Sequence, residues 1–165
     1  MTSKTLTNID LYKMSCLLAY DLWMLCELSE KAYDDLHIVI RNALNESFVI
    51  HARNLIEFFY TKRMSQGNII ASQFFDNNEW DSLIKNKCVI LTQFKIRASQ
   101  YVMHLSSKRL HPADDDYQLD YEKIRDEILK IAIFFFKEVS REKINIFALQ
   151  QISKYLPPEL HVFDK

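Results

Sequence analysis

Apolar residues recur at three- and four-residue steps along most of this chain, which is the spacing of one buried face on a helix. Leu11, Met14, Leu18, Leu22, Leu25 and Leu28 mark a first helix that begins at Thr7 or Asn8, either of which can cap it. Trp23 and Cys26 widen its apolar face, and the chain can turn around Tyr33, Asp34 and Asp35. A second helix is predicted over 35–60, with Leu36, Ile40, Leu44, Phe48, Leu55 and Phe59 as its core stripe. A third is predicted over 85–107. A fourth is predicted over 120–142, with Ile124, Ile128, Ile131, Phe135 and Val139 inward.

The segments between them are polar or broken. "TKRMSQGN" reads as a loop, and "ASQFFDNNEWDSLI" as one or two short helical turns capped by Ser72 or Asp76. Phe74, Phe75 and Trp80 would then pack over the end of the bundle. In "KRLHPADDDYQLD", Pro112 and three consecutive aspartates end any helix. "NIFALQQISKYL" adds a short terminal helix that stops at Pro157 and Pro158. The pattern predicts an all-α fold: one domain over 1–165, an up-down bundle of four long helices with short accessory helices. Its core should include Leu18, Leu22, Leu44, Phe48, Leu55, Ile128 and Phe135.

Composition strengthens this picture. Gly67 is the single glycine of 165 residues, whereas sheet proteins use glycine in their tight turns. A net charge of −1 gives no global field to attract nucleic acid or a membrane surface. Cys16, Cys26 and Cys88 have no CxxC spacing and read as reduced thiols, with no metal site and no cofactor expected. No run reaches the roughly 20 apolar residues of a membrane span, and no signal-peptide pattern opens the chain. A cytoplasmic location is the expectation.

Two groups of polar residues interrupt the helices. In "ESFVIHARNLIEFF", His51 and Asn54 share a face beside the core stripe. Either His51 is a partly buried histidine with an ordinary partner and Arg53 and Glu57 form a surface pair, or these groups look into a cleft. His51 and Asn54 are expected to be buried and to face the third helix. In "RASQYVMHLSSKR", Arg97 and His104 are seven residues apart, about 700° around an α-helix and so on one face, roughly 10 Å apart. Lys108 and Arg109 follow as a cationic helix end, which also suits the helix macrodipole. Asp114, Asp115 and Asp116 lack calcium-loop spacing and read as a solvated loop.

Taken together, the "HARNLIEFF" helix and a later helix carrying R-x6-H resemble the HEPN superfamily. That resemblance implies a helical bundle, often dimeric, of prokaryotic toxin and antiviral systems. It also implies an arginine–histidine pair acting on RNA, here Arg97 and His104. Ala98 departs from the family pattern, which commonly has a polar residue after the arginine. The chemistry of the pair is coherent. Cleavage through the RNA 2′-hydroxyl needs a proton-transfer group near neutral pH and a cation beside the phosphate, and needs no metal. His51, Asn54, Lys108 and Arg109 would support or bind the strand. The partners expected are a second copy of the chain, RNA, and a protein partner such as an antitoxin. The alternative is a catalytically silent bundle that serves as a protein-interaction or dimerisation module.

Overall fold

A computed structural model of the chain describes residues 6–30, 35–62, 68–76, 79–84, 88–100 and 120–158. Among them there is no strand. The helices are α1 (Asn8–Ser29), α2 (Ile38–Tyr60), α3 (Glu79–Leu83), α4 (Val89–Ala98), α5 (Tyr121–Glu138) and α6 (Ile146–Ile152). Short 3-10 turns lie at Ala71–Phe74, Arg141–Lys143 and Ser153–Tyr155. The protein is all-α.

Caps explain where the helices begin. Thr7 Oγ1 accepts from the Asp10 N–H at 3.2 Å while Asp10 Oδ2 accepts from the Thr7 N–H at 3.0 Å, a reciprocal pair that satisfies two exposed donors. Asp120 caps α5 through the Lys123 N–H at 2.9 Å, and Asn145 caps α6 through the Phe147 and Ala148 N–H groups. α2 starts at Ile38, later than the pattern predicts, because the His37 ring accepts from the Val39 N–H at 3.3 Å. The Ala71–Phe74 turn follows an extended Ile70, so Ser72 lies inside it and not at its cap. α5 ends at Glu138, where Val139 and Ser140 take up extended backbone before the next turn.

Of the third predicted helix, 85–107, the described part is Cys88, α4 and the two residues after it. After Ala98 the backbone widens into a π turn at Ser99 and Gln100. His104, and with it the expected shared face of residues 97 and 104, lies beyond Gln100, the last described residue of this segment. Residues 101–119 lie outside the described residues.

α1 packs against α2, α5, α6 and the Arg141–Lys143 turn. Leu18, Leu22, Phe48, Leu55, Ile128 and Phe135 are buried as the periodicity predicts, and Leu44 is partly buried against them. Leu36 and Ile40 are exposed, together with Ile38 and Val39. The first turn of α2 is apolar all round, so spacing alone could not tell which side was covered. Phe58, Phe59, Phe74, Phe75, Trp80, Phe134 and Phe135 join in one aromatic cluster, as expected for the end of the bundle. Two polar anchors tie later segments onto α1. Ser15 Oγ accepts from the Asn145 N–H at 2.8 Å, and Glu27 Oε1 accepts from Lys154 Nζ at 2.6 Å and the Tyr155 hydroxyl at 2.7 Å.

Cys26 is fully buried on α1, and desolvation pushes its thiol up to about 12 even though Arg125 draws it down. At pH 8 a thiol-specific disulfide reagent should leave Cys26 unmodified in the folded protein and reach it on unfolding. The sign of the pH effect follows. Between the ordinary value of 9.0 and about 12 the unfolded chain releases a proton that the folded chain keeps, so stability falls as pH rises through that window. Burial raises Tyr60 and Tyr121 as well, with the same sign. Comparing urea midpoints at pH 7 and pH 10 in the wild type and Cys26→Ala isolates the share due to Cys26. An equal decline in both would show that the thiol contributes nothing.

Candidate functional site

The polar residues of α2 divide between two neighbours. Ala52 and Leu55 bury the central face. On one flank, His51 Nδ1 lies 2.6 Å from Asp21 Oδ1 of α1, with side chains 12% and 23% exposed. The Tyr20 ring meets the imidazole edge-on at 5.6 Å. With Nδ1 protonated, the ring donates to the Asp21 carboxylate. His51 therefore turns to α1 and not to the third long helix. Asn54, one turn on, is exposed and not buried. It lines a cleft of about 280 Å³ with residues of α1 and α2 and with Asn68, Ile69 and Ile70.

On the other flank, Arg53 Nε and Lys95 Nζ of α4 both approach Glu57 Oε1, at 3.2 and 3.3 Å. Arg53 and Glu57 thus form the i,i+4 pair that their spacing allows, extended across the helix interface by Lys95. Arg97 stands two residues beyond Lys95, about 200° around the helix, so it does not share that side. It is half-buried in the last α turn, directly before the π turn. Ala98 is packed in the core. His104, Lys108 and Arg109 lie outside the described residues, as do the three aspartates.

Cys88 sits at the start of α4, where its N–H donates to the Tyr60 hydroxyl at 3.2 Å and its Sγ–H to Glu127 Oε2 at 3.6 Å. Lys130 bonds the same carboxylate and holds Glu127 below the usual range. This group joins α2, α4 and α5. Among the described residues no group of three or more His, Cys, Asp or Glu could hold a metal ion, and no helix is long and apolar enough to cross a membrane.

Asp21 is the residue that the sequence pattern missed. Its signal was present: one carboxylate stands within the apolar run "LLAYDLWMLC". A lone acid on a flank that must pack calls for a partner on the facing helix. No family model, curated protein or solved structure matches the chain.

Proposed function

We propose that this all-α chain is a HEPN-type bundle that cleaves RNA without a metal, through Arg97 and His104. α1, α2, α4 and α5 would be the four long members of its up-down arrangement. The reading rests on the R-x6-H spacing, and the observation that supports it is the placement of Arg97. Arg97 is half-buried in the last α turn, close to a π turn, an irregular backbone of the kind that often accompanies functional sites. There Arg97 would hold the phosphate oxygens through its planar fork. His104 would take the proton from the 2′-hydroxyl as that oxygen attacks phosphorus and the 5′-oxygen leaves. Lys108 and Arg109 would steer the strand. A toxin or defence role in the cytoplasm, with a protein antitoxin, would fit such an activity.

Incubation with single-stranded and structured RNA in EDTA tests this. The wild type should cleave at least one RNA, His104→Ala should abolish cleavage, and Arg97→Ala should cut it by a large factor. Cleavage that survives both substitutions, or that requires a divalent metal, would rule the mechanism out.

A second reading, a silent module that pairs with itself or with another protein, is favoured by α1. Leu17, Tyr20 and Trp23 are 57%, 48% and 39% exposed on a helix whose opposite face is core. A helix apolar on both faces is usually covered on both. Well-folded protein that sediments as a dimer and cleaves no RNA would establish this second reading over the first.

A further inference from the structure

We propose that α1 pairs with α1 of a second copy of this chain, antiparallel, about a two-fold axis that passes beside Cys16. Ile9, Tyr12, Tyr20 and Trp23 are exposed and Cys16 is half-buried, on the side of α1 away from its core leucines. The four stand seven and four residues before Cys16 and four and seven residues after it. At about 100° per residue the five occupy an arc of about 80°, whereas Leu11, Leu18, Leu22 and Leu25 lie about 180–240° from Cys16. An antiparallel two-fold maps each residue onto the one equally far on the other side of the axis. Ile9 therefore comes beside the partner's Trp23, Tyr12 beside the partner's Tyr20, and Cys16 beside the partner's Cys16. Spacings that read alike in both directions are what self-pairing needs, and a different partner would not call for them.

Charge and area agree with this occupant. Among the described residues of α1 that are exposed, Lys13 alone is charged, and its symmetry mate is the buried Ala19, so the two lysines stand apart. A net charge of −1 per chain adds little repulsion between copies. One lysine is too few basic groups for a helix that lies on anionic lipid. Ile9 is 66% and Tyr12 37% exposed, and Leu17 widens the strip toward α2. Asn145, which bonds both Ser15 Oγ and Cys16 Sγ, marks its edge on the α6 side. With Tyr20 and Trp23 included, and at about 200 Å² for a large side chain, the exposed fractions leave roughly 500 Å² per copy. A standard interface takes about 800 Å² from each partner, about 65% of it apolar in homodimers, which is nearly the same apolar area. Packed helices have axes about 8–10 Å apart, which leaves the two Cys16 Cα atoms about 4–6 Å from each other, the separation of a disulfide. The pairing deepens the second reading above, on which it rests, by naming the partner and the register.

Sedimentation equilibrium of the full chain should show a monomer–dimer equilibrium in the micromolar range. Copper phenanthroline, a mild oxidant, should trap that dimer as a disulfide. Cys16→Ser should abolish the trapped form, and Cys88→Ser should leave it. Ile9→Glu and Trp23→Lys each put an unpaired charge on the strip and should weaken the dimer about tenfold or more. Both positions are exposed, so the circular dichroism of each variant should be unchanged. Mixed together, the two variants should recover the dimer, because the new carboxylate of one meets the new ammonium of the other in this register. A wild type that stays monomeric at hundreds of micromolar overturns the proposal, and self-pairing in the second reading with it. A dimer that survives both substitutions, fails to crosslink through Cys16, or does not recover on mixing overturns this pairing alone and leaves the second reading standing.

Discussion

Phe135→Ala should lower the unfolding free energy by about 3–5 kcal/mol. Phe135 is fully buried on α5, and its ring meets those of Phe58, Phe59, Phe74, Phe75, Trp80 and Phe136 at centroid distances of 5.4–5.7 Å. These neighbours come from α2, α3, α5 itself and the segment around the Ala71–Phe74 turn. No single shift of one element can fill the space that the ring leaves, which places the cost toward the upper part of the range. Domains are commonly stable by only about 5–15 kcal/mol, so this one substitution would take a large share. Urea unfolding with an unchanged slope and a lower midpoint is the expected record. A loss under about 1 kcal/mol would mean that the cluster is loosely packed.

Trp80→Ala should cost a similar amount, about 3–5 kcal/mol, by a partly different route. The indole stacks on Phe75 at 5.1 Å and also donates from Nε1 to the Phe59 carbonyl at 2.9 Å. That carbonyl lies in the last turn of α2, where carbonyl groups have no partner within the helix. Trp80 therefore closes the end of α2 as well as filling space above it. Trp80→Phe separates the two roles. It keeps a ring and removes the donor, and should cost about 1–3 kcal/mol for the carbonyl left buried. The double variant with Phe135→Ala should lose less than the sum of the single losses, because the two rings touch at 5.4 Å. Strict additivity would show that they do not share one packed unit.

Helix identity was legible because caps and spacing agree. Thr7, Asp120 and Asn145 each stand immediately before an apolar-periodic run, and each caps a helix. Lateral placement was less legible. Periodicity put His51 beside the core stripe, but a helix in a bundle has a neighbour on each flank, and spacing on one helix does not name them. The choice was made by Asp21, thirty residues earlier in sequence. Leu36 and Ile40 illustrate another limit, since a stripe shows which residues share a face and not how far the covering helix reaches. The π turn at Ser99 and Gln100 left no mark in the pattern either. It is a change of backbone winding, and the residues there are ordinary helix neighbours.

The anchoring of late segments onto α1 bears on how the chain is made. Ser15 and Glu27 wait for Asn145, Lys154 and Tyr155, and α6 covers a face of the very first helix. At about 5–20 residues per second, a ribosome needs roughly 6–25 s to go from the end of α1 to Tyr155. Throughout that interval the nascent helix presents Leu11, Leu18 and Leu22 with part of their cover still unsynthesised. The packing of α1 is therefore completed only after the segment from Asn145 to Tyr155 has been made, and truncation before Asn145 should leave part of that face uncovered.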